Sequence, residues 1–79
     1  MSTAAREKPQ PPAAAYVLME KLVGPAYFLK PPPSRGTRVF VWGGDNVRTT
    51  WDMTDIEAAH IVKKLRLAGV RFATEPFRH

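Results

Sequence analysis

The chain has 79 residues, no cysteine, and 12 lysines and arginines against 7 acidic residues, a formal net charge of +5. This length allows at most one domain, and so small a domain buries too little surface to be stable by a wide margin. Without cysteine there are no disulfides and no thiolate metal sites, so a partner surface is the expected supplement. The positive charge favours contact with nucleic acid or with an acidic protein surface.

The sequence predicts no membrane segment and no secretion signal. There is no run of about 18 apolar residues, the length that a transmembrane helix needs. The opening residues, MSTAAREK, lack the apolar core of a signal peptide. We therefore expect a cytoplasmic protein with no membrane partner.

Residues 1–15 are rich in alanine, proline and charged side chains, and they contain no large apolar residue after Met1. Such a segment buries too little surface to offset the entropy that it would lose on ordering. We predict that residues 1–15 form a flexible arm and that residues 16–79 form a single domain.

Residues 16–23, YVLMEKLV, fit two structures. The prolines before them, the Gly24-Pro25 break after them and the helix-forming Leu, Met, Glu and Lys within them suit a short helix. The same break, followed by the aromatic pair Tyr27 and Phe28, suits a β-hairpin equally well. We favour a strand over residues 16–23, followed by a second strand over residues 26–30.

The middle of the chain predicts a second hairpin. Residues 31–36, PPPSRG, form a stiff loop because three prolines restrict φ and donate no hydrogen bonds. Residues 37–42, TRVFVW, are the clearest strand in the sequence. Residues 43–46, GGDN, tolerate positive φ and predict a turn, after which residues 47–51 return as the partner strand.

A capped helix is predicted after residue 54. Thr54 and Glu57 form a capping box, with Met53 in the position of the hydrophobic staple. Acidic residues in the first turn and basic residues near the end complement the helix dipole, and Gly69 is a natural C-terminal stop. The helical period places five apolar residues on one face: Ala58, Ile61, Val62, Leu65 and Ala68.

A last short strand is expected over residues 70–74, ending at Pro76. The elements together predict an α+β fold, in which a small antiparallel sheet of four to five strands has one α-helix packed on one face. Strand alternation separates the two faces of the sheet. The side chains expected to face the helix are those of Val39, Val41, Val47, Thr49, Trp51, Val70 and Phe72.

The sequence offers no catalytic constellation. The two serines lie in the arm and in the proline loop, and His60 and His79 have no partners at metal-ligand spacing. The carboxylates from residue 52 to residue 57 are explained as helix-start residues. Residues 43–45, Gly-Gly-Asp, precede a strand and so do not form a phosphate-binding loop. We expect no enzyme, and no catalytic residue, cofactor or metal site.

The sheet face away from the helix is the first candidate binding surface. Exposed aromatic side chains flanked by arginines suit either base stacking with phosphate contact or a protein hot spot. The predicted partner-binding residues are Arg38, Phe40, Trp42, Arg48 and Arg71. The alternative is that the arm or a second subunit covers Phe40 and Trp42. With one sheet face uncovered we expect a homodimer.

A second candidate surface lies on the helix, opposite its core face. Ile56 and Leu67 are apolar there, with His60 and Lys63 between them. This stripe is either chance or a contact surface for the arm or a partner.

The run from Val39 to Leu67, with VRTTWDMTDIEAAHIV at its centre, resembles a layout common in small phage and prophage proteins: a β-hairpin, a capped Glu-Ala-Ala helix and a last strand. It is similar to small anti-CRISPR proteins of phages and mobile elements, which block a CRISPR effector by occupying its surface. The resemblance implies a non-catalytic inhibitor of a host CRISPR effector complex that blocks nucleic-acid binding, and it assigns no residue role.

The chain departs from the many acidic anti-CRISPR proteins that mimic DNA, because it is basic. Contact with an acidic patch, or with nucleic acid near the effector, therefore fits this chain better than DNA mimicry. The alternative function is that of a small basic nucleic-acid-binding accessory protein, which would use the same arginine and aromatic face.

Overall fold

A computed structural model describes residues 13–24 and 30–78 of the chain. The helices and strands of this part are α1 (Ala14–Val23), β1 (Arg35–Trp42), β2 (Arg48–Met53), α2 (Asp55–Ala68) and β3 (Arg71–Arg78). The strands form one antiparallel sheet in the order β2–β1–β3. The α+β class is confirmed, but the described residues form two helices and three strands, where we expected one helix and four to five strands.

Residues 16–23 are helical, so the strand favoured there is wrong. The helix begins at Ala14, which places Ala14 and Ala15 in the domain and not in the arm. Ala15 and Met19 are both fully buried, one helical turn apart. Helical spacing directs both side chains to the core, and this packing decides between two structures that local preference leaves open.

Two other predictions concern residues outside the described part. Residues 1–12 of the predicted arm lie there, and so does the predicted strand over residues 26–30, apart from Lys30. In the described part, neither helix is long and apolar enough to cross a membrane.

The core lies between one face of the sheet and both helices. Its buried residues are Ala15, Met19, Val39, Val41, Trp51, Met53, Ala58, Ile61 and Leu65. Because α1 and α2 contribute to the same cluster, they cover the same face of the sheet. Neither of the two described helices covers the opposite face.

The start and end of α2 are confirmed. The Thr54 hydroxyl accepts a hydrogen bond from the Glu57 backbone N–H at 3.2 Å, and the Glu57 carboxylate accepts one from the Thr54 backbone N–H at 3.1 Å. Gly69 ends the helix in the left-handed conformation, with φ 69°. Val62 is only half-buried, and Ala68 is exposed because it lies in the last turn, where the helix leaves the sheet.

All three strands have bounds that differ from the prediction. β1 begins at Arg35, so Arg35 and Gly36 belong to the strand and not to the predicted loop of residues 31–36. β3 continues through Pro76 to Arg78. Among the described residues it pairs only with β1, and an edge strand tolerates a proline whose nitrogen faces away from its neighbour. β2 begins at Arg48 and runs to Met53. Val47, predicted to face the helix, is 47% exposed in the turn before β2.

Candidate partner-binding face

The five predicted partner-binding residues lie together on the sheet face opposite the helices. Val39 and Val41 are fully buried under the helices, so the side chains of alternate β1 residues point the other way. Directly paired residues of an antiparallel sheet share a face, and Trp42 pairs with Arg48 on one side and with Arg71 on the other. We call this the outer face.

The side chains of the outer face form rows across the three strands. The first row, named the cationic row, is Arg48–Trp42–Arg71. The next row is Thr50–Phe40–Ala73. The third, named the ion-pair row, is Asp52–Arg38–Glu75. Successive rows are about 7 Å apart along the strands.

Both arginines of the cationic row lie over aromatic rings. The Arg71 Cζ atom is 4.3 Å from the centre of the Trp42 ring, and the Arg48 Cζ atom is 5.0 Å from the centre of the Phe40 ring. At these distances each guanidinium is attracted to the negative face of its ring. The arginines are exposed and the rings half-buried. Within residues 13–24 and 30–78 neither arginine forms an ion pair, so the row presents two uncompensated positive charges.

Arg38, by contrast, is neutralised within the chain. Its Nε and Nη2 atoms donate to the two carboxylate oxygens of Asp52 at 2.7 and 3.2 Å, and its Nη1 lies 3.9 Å from Glu75. The hydrogen bonds to Asp52 raise the pKa of Arg38. Our interpretation of Asp52 as a helix-start residue is therefore wrong, because it lies in β2 and joins β2 to β1. The charge of Arg38 is thus compensated within the outer face.

Sequence reasoning missed Phe77. It lies on the outer face, and the Arg38 Cζ atom is 5.3 Å from the centre of its ring. Phe77 was missed because the predicted strand ended at Pro76, one residue before it. The alternation of residues 71, 73, 75 and 77, continued through the proline, is the signal that would have placed Phe77 on this face.

A cavity of about 270 Å³ adjoins the cationic row. Trp42 and Arg71 belong to both, and the rest of its lining is small or apolar: Ala14, Leu18, Gly43, Gly44, Gly69 and Val70. A Cβ atom added at Gly44 or Gly69 would meet no atom within 4 Å. The cavity therefore has open space at Gly44 and Gly69, whereas Gly43 is crowded by Ala15 and Asp45.

The residues of the second candidate surface lie together on one side of α2. Ile56 is 75% exposed and Leu67 84%, and His60 and Lys63 between them are exposed as well. The stripe is thus solvent-facing, on the side of α2 away from the sheet. It contains no Phe, Tyr or Trp, and it is the comparison surface for the outer face.

No family model matches this chain, and neither a curated protein nor a solved structure matches it.

Proposed function

We propose that this protein is a non-catalytic binding protein that covers an anionic surface of its partner with the cationic row. The observation that carries the proposal is the pair of exposed arginines held over the rings of Trp42 and Phe40, with no carboxylate in their row. Tryptophan and arginine are the residues most enriched at binding hot spots. An arginine already held on a ring loses less conformational freedom when a partner binds.

Several features of the described residues support a non-catalytic role. No group of three or more His, Asp or Glu side chains among them is arranged to hold a metal ion. The backbone N–H of Ala14 lowers the pKa of Asp45, and that of Thr54 lowers the pKa of Glu57. A general acid at neutral pH needs the opposite shift. The proposal assigns no catalytic residue, cofactor or metal.

The most specific form of the proposal is an anti-CRISPR-like inhibitor. In this form the protein acts in the cytoplasm, occupies an acidic patch of a CRISPR effector complex and blocks its binding to nucleic acid. Two observations support this form: the layout of the run from Val39 to Leu67, and the net charge of +5, which suits an acidic patch.

A second candidate function is binding to nucleic acid directly. The open sheet face favours it, because aromatic rings and guanidinium planes both stack on unpaired bases. Arg48 and Arg71 are the neighbours of Trp42 on the two adjacent strands. The Arg71 guanidinium, which lies over the Trp42 ring, offers a plane on which a base would stack. In this form the protein is a small basic accessory protein.

Two measurements separate these functions. In the first, purified CRISPR effector complexes loaded with guide RNA are titrated with the protein, and target-DNA binding is followed by gel shift. In the second, fluorescence anisotropy measures the affinity for random single- and double-stranded DNA and RNA at two salt concentrations. Effector inhibition without oligonucleotide binding supports the inhibitor. Oligonucleotide binding that weakens steeply with salt supports the accessory protein. If the protein neither inhibits an effector nor binds oligonucleotides, both functions are overturned.

Variants then locate the surface. Trp42→Ala should weaken whichever binding is found by about 30-fold, the equivalent of about 2 kcal/mol for a central aromatic anchor. Arg48→Glu should weaken it as well, because a reversed charge at the centre of an interface repels an anionic partner. Arg38 is a poor probe because its replacement breaks the pair with Asp52.

The matched control is Lys63→Glu, a charge reversal at an exposed position of α2. It should leave the affinity unchanged. Circular dichroism and thermal denaturation establish that each variant is folded. If Lys63→Glu or Leu67→Ala abolishes binding while Trp42→Ala and Arg48→Glu do not, the α2 stripe of Ile56, His60, Lys63 and Leu67 is the site.

A further inference from the structure

β3 has one free edge. It pairs with β1 on one side, and no other described residue pairs with it on the other. Six of its eight residues are exposed. An uncovered edge strand of this length presents a row of backbone donors and acceptors to a further strand. The free edge of β3 is thus a surface on which another strand can add.

The backbone hydrogen bonds determine which residues face that edge. The Gly43 N–H donates to the Val47 carbonyl at 3.3 Å, next to the paired residues Trp42 and Arg48. In a central strand, successive residues direct their backbone groups to opposite neighbours. Odd-numbered residues of β1 therefore bond to β2, and even-numbered residues, including Trp42, bond to β3.

It follows that Arg71 and Ala73, the partners of even-numbered β1 residues, bond inward to β1. Phe72, Thr74 and Pro76 then direct their backbone groups to the free edge. The lack of an N–H at Pro76 therefore removes no hydrogen bond between β3 and β1. Phe72 and Thr74 each offer one donor and one acceptor to a partner strand.

We propose that two copies of this chain pair antiparallel along the free edges of β3, with the two-fold axis at Ala73, to form one six-stranded sheet. In this register Phe72 of each copy exchanges two backbone hydrogen bonds with Thr74 of the other. On the outer face, Arg71 of each copy lies opposite Glu75 of the other. The interface is isologous, so each contact occurs twice.

The charges of the outer face are complementary in this arrangement. The cationic row of one copy continues into the ion-pair row of the other, so the sequence of side chains across the six strands is Arg48–Trp42–Arg71–Glu75–Arg38–Asp52. The cationic row has a charge of +2 and the ion-pair row −1. Opposite charges paired directly across strands stabilise a sheet, and like charges destabilise it.

Charge also selects the register. If the outer faces of the two copies are continuous, odd-numbered residues of one β3 pair with odd-numbered residues of the other. Among the registers that do so, only the one centred on Ala73 places Arg71 opposite Glu75. A register centred on Arg71 opposes two arginines, and one centred on Glu75 opposes two glutamates. Both are disfavoured.

The proline supports the same register. With the axis at Ala73, Pro76 lies opposite Val70, whose N–H already donates to the Leu65 carbonyl at 3.0 Å. The pairing therefore ends at Pro76 without a lost hydrogen bond. With the axis at Thr74, Pro76 would lie opposite Phe72 within the ladder, and the Phe72 carbonyl would lose its donor.

The test is a charge swap followed by sedimentation equilibrium. The parent protein at hundreds of micromolar should have twice the mass of one chain. Arg71→Glu and Glu75→Arg alone should each weaken the dimer at least about tenfold, and the double variant should restore it, because the pair is then reversed. A monomeric parent would overturn the proposal, and so would single variants that dimerise like the parent.

A second pair of variants tests the backbone contact without changing charge. Thr74→Pro removes an N–H that faces the free edge and leaves the bonds to β1 intact, so it should give a folded monomer. Thr74→Ala should stay dimeric. In the parent dimer the amides of Phe72 and Thr74 should be protected from hydrogen exchange.

If Thr74→Pro remains dimeric while Leu67→Asp on α2 gives a monomer, the interface is the helix stripe and the proposal is wrong. The two proposals share Arg71, which belongs to the cationic row and to the dimer interface. Their tests are separable, because Trp42→Ala and Arg48→Glu, the variants that test partner binding, change no residue of β3.

Discussion

The Asp45 carboxylate caps the first turn of α1 from the β1–β2 turn. One of its oxygens accepts a hydrogen bond from the Ala14 backbone N–H at 3.0 Å, and the other accepts one from the Val47 N–H at 3.1 Å. Ala13, at the N-cap position, supplies no side-chain hydrogen bond. A negative charge at this end of the helix also interacts favourably with its dipole. Asp45 therefore joins the hairpin to α1.

Replacing Asp45 tests this link. Asp45→Ala should lower the urea midpoint and increase hydrogen exchange in the first turn of α1. The Ala14 N–H has no partner within the helix, and the substitution removes its acceptor. Asp45→Asn keeps an accepting oxygen and should have a smaller effect. Unchanged exchange in Asp45→Ala would show that α1 is held by its apolar face alone.

Stability should fall in acid through two carboxylates. The Ala14 N–H lowers the pKa of Asp45, and the Thr54 N–H, followed by the Lys30 amine, lowers that of Glu57. Both groups are more acidic in the folded chain than in the unfolded chain. Their contribution is complete above the unfolded pKa values, about 3.9 for Asp and 4.3 for Glu, and is lost as the pH falls through the folded values.

The measurement is the urea midpoint as a function of pH. It should be nearly constant from neutral pH down to about pH 5 and should then decrease. Asp45→Asn should decrease less steeply in acid, because one of the two titrating groups is absent. An acid slope equal to that of the parent would contradict the role of Asp45.

The cap of α2 has a measurable contribution. Thr54→Ala removes the acceptor of the Glu57 N–H and half of the capping box, and it should destabilise the protein by about 0.5 to 2 kcal/mol. Thr54→Ser keeps the hydroxyl and should be close to the parent. Chemical denaturation checks both, and equal stability of parent and Thr54→Ala would mean that tertiary packing alone sets the start of α2.

Gly43 and Gly44 should respond differently to the same substitution. A Cβ atom at Gly43 would lie 2.6 Å from the Ala15 backbone nitrogen and 2.9 Å from an Asp45 oxygen, whereas one at Gly44 meets no atom within 4 Å. Gly43→Ala should therefore push α1 away from the hairpin and destabilise by roughly 1 to 3 kcal/mol. Gly44→Ala should be neutral or slightly stabilising. Equal midpoints for the two variants would show that α1 does not dock as described.

Met19 and Val17 distinguish a helix from a strand. In a strand both side chains would lie on one face, but in α1 Met19 is fully buried and Val17 is 38% exposed. Met19→Ala should destabilise by about 2 to 5 kcal/mol. Val17→Ala should change stability by no more than about 1 kcal/mol. Similar losses for both would favour the strand.

The sequence alone determined the elements whose signals are local. The bounds of α2 follow from Thr54, Glu57 and Gly69, which act on backbone groups within one turn of themselves. The faces of β1 follow from its alternation, because an antiparallel strand with one buried face directs its side chains alternately inward and outward. Both predictions therefore needed no knowledge of the rest of the chain.

The tertiary structure alone decided what depends on residues distant in sequence. Residues 16–23 are a helix because Met19 packs in the core and because Asp45, 31 positions from Ala14, caps the first turn. The charge of Arg38 is compensated because Asp52, 14 positions away in the sequence, lies beside it in the sheet. β3 passes Pro76 because it is an edge strand, and a strand becomes an edge only when the sheet assembles.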